Sequence, residues 1–306
     1  MNSPQFRLAA LVLILCGSSL GAFDLGNVPI PKDLPAPVVI PESVKKTVDL
    51  AKRSNDSLEK ANEDLTPLQQ YYLGRAFGAT ILESRKPVDN AKANAYVNEL
   101  GQALVQASEQ PATYSGYRFQ IVDSAEINAF SGPGGFIFIS KGLVKLTHDE
   151  GELAAVLAHE IGHVALEHGV KAIQKDRQTG ALVGIGADAA KTYGSDDAKG
   201  LAASFESSVT DLTKNIVDKG YSRETEFEAD ARAVTVLRRA GYSPRSLVSM
   251  LEELKKQPQG NPVGFAKTHP APQDRITQAS KLVAGDPVPK GTPAQAKRFK
   301  AALDGL

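Results

Sequence analysis

His159-Glu160-Ile161-Gly162-His163 is the stretch that decides the fold, and it lies in a segment predicted to form one long helix over residues 148–169. Histidines four positions apart share one face of an α-helix, so both imidazoles can reach a single ion. Glu160 stands next to the first histidine, where its carboxylate can take a proton from an attacking water. The motif therefore predicts His159 and His163 as metal ligands and Glu160 as the general base. The alternative is that two histidines fall by chance on a core helix.

A catalytic zinc ion needs three protein ligands and an open fourth position, so a third ligand has to lie elsewhere in the chain. His168 is nine positions after His159, which places it on the opposite face of the helix. We expect it on the surface or in a second layer around the site. His148 has the correct direction but lies about 16 Å away along the helix axis, so it is excluded.

An acidic segment farther along the chain contains the better candidate. Glu226 and Asp230 are four residues apart, and the small Ala229 on the same face would let this helix lie directly against the metal helix. We predict that Glu226 binds the metal and that Asp230 accepts a hydrogen bond from a ligand histidine. Glu224 and Glu228 would point elsewhere. The alternative is a row of glutamates that only solvates a helix face.

Composition excludes some classes of partner and predicts export. The chain has 306 residues, 42% of them apolar, and its 35 basic residues balance its 35 acidic ones, so we expect no nucleic-acid partner.

Residues 1–22 are typical of a signal peptide, with Arg7 before the apolar run Leu8 to Leu15. Cys16, the only cysteine, is either a lipidated first residue that attaches the mature chain to a membrane or part of a leader removed near Ala22. We expect an exported, periplasmic protein.

Three regions follow the signal peptide. Residues 23–65 are predicted to be a proline-rich tether and a charged helix, residues 66–285 the domain with the metal site, and residues 286–306 a flexible C-terminal tail. Two short runs rich in aromatic and β-branched residues, 117–122 and 136–139, predict a small antiparallel β-sheet. The expected fold class is α+β, predominantly helical, with this sheet packed near the H-E-x-x-H helix. That helix is expected to begin with a capping box formed by Thr147 and Glu150.

A series of motifs between Thr66 and Ile276 resembles one known family. In chain order these are Tyr71-Tyr72-Leu73-Gly74, Asn128-Ala129-Phe130 with Gly134-Gly135-Phe136-Ile137, His159 to His163, Ser222-Arg223 with Glu226 and Asp230, and His269-Pro270 with Arg275-Ile276. The chain is similar to the gluzincin metallopeptidases related to the CAAX prenyl protease and the heat-shock protease HtpX, above all to periplasmic or lipoprotein members without transmembrane helices. The resemblance implies a zincin-like metalloprotease domain, one Zn²⁺ ion per chain and Glu226 as the third ligand.

His269 lies in a proline-flanked segment just before a predicted helix. A loop histidine is usually a surface residue, but the resemblance and the chemistry favour a role at the zinc cleft. Its imidazole could donate a hydrogen bond to the carbonyl oxygen on which negative charge develops. It could instead fill the open fourth position and hold the enzyme off. The two roles predict opposite effects of His269→Ala, and both stay open at this point.

Together these features predict a zinc-dependent metalloendopeptidase that hydrolyses peptide bonds of extended or misfolded envelope proteins. Its protein or peptide substrates would pair through backbone hydrogen bonds with residues 136–139 or 128–130. One alternative is a periplasmic chaperone or outer-membrane assembly factor with secondary proteolysis. The other is a closed structural zinc site, but such sites usually have four protein ligands, often cysteines, and no usable cysteine exists here.

Overall fold

A computed structural model of the chain describes residues 64–175, 220–257, 265–269, 272–288 and 291–306. All of them belong to one unit, Leu50–Leu306. The predicted signal peptide with Cys16 lies outside the described residues, as does nearly all of the predicted tether and charged helix. Within the described part of the chain, no helix is both long enough and apolar enough to cross a membrane.

The described chain alternates long helices with one small sheet. Its elements are α1 (Pro67–Ser84), α2 (Ala91–Ala107), β1 (Arg118–Val122), β2 (Ala129–Gly132), a 3₁₀ turn (Pro133–Gly135), β3 (Phe136–Ser140), α3 (Lys141–Leu146), α4 (Glu150–Ala165), α5 (Arg223–Arg239), α6 (Arg245–Lys256), α7 (Phe265–Thr268), α8 (Pro272–Leu282) and α9 (Pro293–Leu303). The predominantly helical α+β class is thereby confirmed.

The sheet is mixed, so the prediction of an antiparallel sheet was wrong. The strand order is β1-β3-β2, with β1 parallel to β3 and β2 antiparallel to β3. The reason is the length of the connections: a three-residue turn at Pro133–Gly135 can join only antiparallel neighbours, while the longer path from β1 to β2 leaves room for β3 between them. Gly134 adopts φ 72° in that turn, a conformation that favours glycine. β3 is therefore the central strand.

Helix α4, which bears the H-E-x-x-H motif, is buried on nearly every side. Its residues from Leu153 to Val164 are all buried, and it packs against α2, α5, α6 and β2. Gly162 makes the α5 contact possible, because a Cβ at this position would meet the carbonyl oxygen of Ala229 at 2.9 Å. The sheet therefore lies beside the motif helix as predicted, and small residues bring α5 against it.

The ends of α4 differ from the prediction. Asp149, rather than Thr147, is the N-cap residue, and its side chain accepts a hydrogen bond from the backbone N–H of Glu152. Thr147 instead closes α3 by donating its hydroxyl to the carbonyl of Val144. The helix ends at Ala165 because Glu167 adopts φ 55°, a left-handed conformation that a helix cannot continue through.

The C-terminal segment contains a packed helix, so the prediction of a flexible tail over 286–306 was wrong in this part. Thr292 and Gln295 form a capping box at the start of α9, and Pro293 occupies its first turn. The guanidinium of Arg298 then donates to the buried carboxylate of Glu150. Burial of Ala302 against the core completes the contact. These interactions hold α9 on α2 and α4.

Candidate metal centre

Four side chains converge at the middle of α4. One ligand atom from each of His159, His163, Glu226 and His269 lies within 4.8 Å of the other three, and all four residues are buried. The structure therefore brings together the two histidines of the motif, the predicted third ligand and the loop histidine. Residue spacing on α4 and α5 accounts for the first three, because each helix presents one face to the other.

The separations between these atoms suit a tetrahedral zinc ion. The Nε2 atoms of His159 and His163 are 3.0 Å apart, and Glu226 lies 3.5 Å from the first and 3.4 Å from the second. Zinc–nitrogen bonds of about 2.0–2.1 Å in a tetrahedron require neighbouring ligands to be about 3.3 Å apart. Two imidazoles and a carboxylate are also a common ligand set for catalytic zinc.

Charge balance points to a divalent cation as well. The buried ionisable groups of the centre are the carboxylates of Glu160, Glu226 and Asp230 and the guanidinium of Arg275. When the histidines are neutral, as metal ligands have to be, three carboxylates and one guanidinium leave two net negative charges in a site shielded from water. Buried charge of this size is costly unless it is paired or coordinates a metal. A divalent ion would neutralise the centre.

Asp230 contacts the first candidate ligand histidine. Its Oδ1 lies 2.9 Å from Nδ1 of His159, which leaves Nε2 of that ring facing the other ligands. Arg275 holds Asp230 in turn, with Nε and Nη2 at 2.8 and 2.6 Å from the two carboxylate oxygens. The same guanidinium reaches Glu226 through Nη1 at 2.8 Å. The predicted contact between Asp230 and a ligand histidine is therefore present in the structure.

Burial and the neighbouring charged groups shift the pKa values of His159, His163 and Glu226. Burial and the cation of Arg275 disfavour a charged His159, but hydrogen bonds to Asp230 and Glu226 outweigh them and raise its pKa to about 9. Burial lowers the pKa of His163 well below its usual value. Burial also works against an ionised Glu226, yet the neighbouring His269 and Arg275 hold its pKa well below the ordinary range. Glu226 is thus ionised, as a metal ligand has to be.

Glu160 has the surroundings of a proton acceptor. It is fully buried, and neither carboxylate oxygen has a hydrogen-bond partner among the described residues. Nε2 of His269 lies 3.6 Å from Oε1. A buried carboxylate with open acceptor positions beside the ligand cluster can receive a proton from a reacting group.

His269 is part of the cluster and not a surface residue. Its Nδ1 lies 3.0 Å from Oε1 of Glu226 and 3.3 Å from Nε2 of His159. Its ring stacks on Phe265, with centroids 4.2 Å apart. Two contacts fix the segment: the backbone N–H of Phe265 donates to the carbonyl of Ile127, and the hydroxyl of Thr268 donates to the side chain of Asn128.

For three residues around the site, the sequence did not predict the contacts that the structure shows. Arg275 was quoted only as part of the family resemblance, and His168 was expected on the surface or in a second layer; it is buried, with Nδ1 2.9 Å from Nδ1 of His163. Glu228 points away from the ligand cluster as expected, with its side chain 61% exposed, and lies 3.2 Å from Nε2 of His168. The break at Glu167 had no clear signal in the sequence.

The comparison with known proteins agrees with this geometry. The model of peptidase family M48 matches residues 91–283, which is more than half of the chain and contains the whole ligand cluster. The chain belongs to peptidase family M48. The protein is accordingly a metallopeptidase, and the resemblance drawn from the motif series is confirmed at the level of the family.

Several named relatives share this M48 region. The chain is 26% identical to the beta-barrel assembly-enhancing protease of Escherichia coli over 76% of its own length and 47% of the relative. It is 30% identical to the metalloprotease LoiP of the same organism over 62% of its length and 68% of the relative. The mitochondrial metalloendopeptidase OMA1 of Schizosaccharomyces pombe is 28% identical over 52% of the chain and 44% of the relative. The M48 chain thus spans about half the length of the first of these proteins.

Proposed function

We propose that this M48 metallopeptidase is a zinc-dependent endopeptidase that cleaves extended or misfolded proteins of the cell envelope. The observation that carries the proposal is the cluster of four buried ligand atoms within 4.8 Å, with the open carboxylate of Glu160 beside it. His159, His163 and Glu226 hold one zinc ion in this proposal. Asp230 positions His159, and Arg275 compensates the charge of both acidic residues.

The reaction is amide hydrolysis with Glu160 as the general base. When bound, zinc supplies a Lewis acid that polarises the scissile carbonyl and makes a water molecule more acidic. Glu160 takes the proton of the attacking water and later gives it to the leaving amine. Exclusion of bulk water around Glu160 strengthens its interaction with the proton that it transfers.

In this proposal His269 acts as a plug of the metal centre. Its Nδ1 lies with the three ligand atoms, in the position that a catalytic centre keeps open for water. The contacts of Phe265 with Ile127 and of Thr268 with Asn128 hold the plug in place. Substrate access then requires residues 265–269 to move away, after which the imidazole could donate to the scissile carbonyl. His269 would then have both predicted roles: it blocks the open position in the closed state and donates to the scissile carbonyl in the open state.

Strand β2 is the proposed pairing partner of an extended substrate. β3 is hydrogen-bonded on both sides, to β1 and to β2, so it has no edge to offer. β2 forms one side of the described sheet and packs directly against α4. Pairing along β2 would recognise substrates through their backbone, with limited side-chain selectivity. An enzyme that recognises mainly the backbone can accept unfolded segments of many different proteins.

Export to the periplasm, with or without a lipid on Cys16, remains part of this proposal. The leader-like composition of residues 1–22 supports it. The name of one relative, beta-barrel assembly-enhancing protease, favours a substrate in the envelope. Intact mass of the mature protein tests the point, because a lipid on Cys16 and cleavage near Ala22 give different masses.

The test of the function is chelation. Purified protein should cleave casein, lose that activity with 1,10-phenanthroline, and regain it with one equivalent of zinc. Cleavage that resists the chelator would overturn the proposal. A holding function, as in a chaperone, predicts instead that metal-free protein still suppresses aggregation of an unfolded protein and that zinc adds no cleavage.

A further inference from the structure

The two ligand histidines are supported in different ways. His159 rests on Asp230, an ion-paired carboxylate inside the protein. His163 rests on another histidine: its Nδ1 lies 2.9 Å from Nδ1 of His168, whose Nε2 lies 3.2 Å from Oε2 of Glu228. His168 is buried, whereas the side chain of Glu228 is 61% exposed. A continuous line of polar contacts therefore runs from the ligand cluster to the surface.

The chemistry of imidazole fixes the direction of these hydrogen bonds. Nε2 of His163 faces the other ligand atoms, so it has to be unprotonated to bind a metal. A neutral imidazole then carries its proton on Nδ1. That N–H donates to Nδ1 of His168, which leaves the proton of His168 on Nε2, where it donates to Glu228. No other arrangement of protons satisfies both contacts and a metal on His163.

The backbone break after α4 makes the contact possible. Had the helix continued, His168 would point away from His163. Glu167 instead adopts φ 55°, and its carboxylate accepts a hydrogen bond of 2.9 Å from Gln70 of α1. Tyr221 covers the pair from one side, with its ring stacked on His163 at 4.3 Å. Several elements thus hold His168 in place.

We propose that His168, held by Glu228, is the positioning residue for the ligand His163. The proposal rests on the metal centre proposed above and adds the residues that fix its second imidazole. Second partners of metal-bound histidines set the tautomer and the ring orientation, and losing them typically lowers metal affinity about 10- to 100-fold. Removing the Glu228 carboxylate should lower zinc affinity less than removing His168, because the side chain of Glu228 is largely in water.

The experiment compares two replacements of His168 in the full chain. Asn places an amide oxygen where Nδ1 lies and can still accept from His163, while Leu has a similar branched shape and cannot. Zinc affinity is measured by competition with a chromophoric chelator. We expect His168→Leu to bind zinc about 10- to 100-fold more weakly and His168→Asn to stay near wild type. The zinc affinity of Glu228→Ala should lie between those of wild type and His168→Leu. Glu224→Ala, which changes an exposed glutamate on the same helix, is its matched control.

Two further readouts separate positioning from a purely structural role. The visible spectrum of the cobalt-substituted protein should change in His168→Leu and be restored in His168→Asn, while the thermal midpoint of the metal-free protein reports packing alone. Equal zinc affinity in His168→Leu and wild type would overturn the proposal. So would an equal loss in the Leu and Asn variants that follows their loss of metal-free stability. A wild-type protein that binds no zinc would instead refute the proposed function itself.

Discussion

Arg275 and Asp230 form a bidentate ion pair inside the protein, with distances of 2.8 Å from Nε to Oδ2 and 2.6 Å from Nη2 to Oδ1. Planar guanidinium and carboxylate groups match each other in this geometry, which fixes orientation as well as distance. The same guanidinium contacts Glu226, so α8 holds both acidic side chains that α5 presents to the histidines. The position of the third predicted ligand depends on a residue far away in the sequence.

Arg275→Gln should be strongly destabilising. Removing the cation leaves the carboxylates of Asp230 and Glu226 buried without their partner, which costs about 3–5 kcal/mol in comparable pairs. Chemical denaturation of the metal-free variant measures the loss. Arg223→Ala is the control, since its ion pair with Asp274 is exposed and contributes about 1 kcal/mol at most. Similar unfolding free energies for the two variants would contradict the assigned role of Arg275.

Glu226→Gln should lose zinc affinity, whereas Glu224→Gln should not. The two residues lie in the first turn of the same helix, but Glu226 is buried among the histidines and Glu224 is exposed. An amide oxygen is a weaker ligand for zinc than a carboxylate, since it carries no charge. Metal analysis after dialysis against a weak chelator compares the variants. Equal zinc retention would rule out Glu226 as the third ligand.

His269→Ala should raise the rate of casein cleavage and leave one zinc ion bound. The expectation follows from the place of its Nδ1 among the ligand atoms, where it competes with water. Initial rates at saturating casein, together with zinc content, measure the effect. A lower rate with zinc retained would show that the imidazole's stabilisation of the transition state outweighs its effect as a plug.

Arg298→Ala should weaken the docking of α9. Glu150 is buried and accepts hydrogen bonds from Tyr96, Tyr242 and Arg298. Loss of the Arg298 guanidinium should therefore lower the free energy of unfolding by about 1.5–3 kcal/mol. Burial alone would raise the pKa of Glu150, but these hydrogen bonds hold it below the usual range. The stabilisation is therefore complete above the ordinary glutamate pKa of about 4.3 and lost as the pH falls through the lower folded value.

Denaturation of Arg298→Ala at pH 7 and at acidic pH measures this contribution. Lys300→Ala provides the control on the same helix, because Lys300 is exposed. An Arg298→Ala protein as stable as the control at pH 7 would mean that α9 does not depend on the ion pair.

Local sequence patterns were sufficient to identify the residues that meet at the candidate metal centre. The spacing in His159-Glu160-Ile161-Gly162-His163 and the face shared by Glu226, Ala229 and Asp230 identify the residues that meet in the structure, because helical periodicity alone decides which side chains share a face. Thr66 before Pro67 is likewise a local signal for the start of α1, and its side chain accepts a hydrogen bond from the backbone N–H of Gln69.

Features that depend on distant parts of the chain were not visible in the sequence. The central position of β3 follows from which strands pair, and strand type does not determine partners. Ordering of α9 depends on Glu150, 148 positions before Arg298. His168 reaches His163 only because Glu167 adopts a left-handed conformation. This conformation is uncommon for residues other than glycine, so the sequence gives no signal for it.

The central claim is that Glu160 transfers the proton and does not bind the metal. Its carboxylate is buried beside the ligand atoms, yet His159, His163, Glu226 and His269 form the cluster without it. The decisive measurement is zinc content and casein cleavage in Glu160→Gln, which preserves shape and removes the base. We expect one zinc ion per chain and a loss of cleavage of at least about 100-fold, since general base catalysis contributes about 10²–10⁴-fold. Cleavage at a rate comparable to wild type would contradict the account.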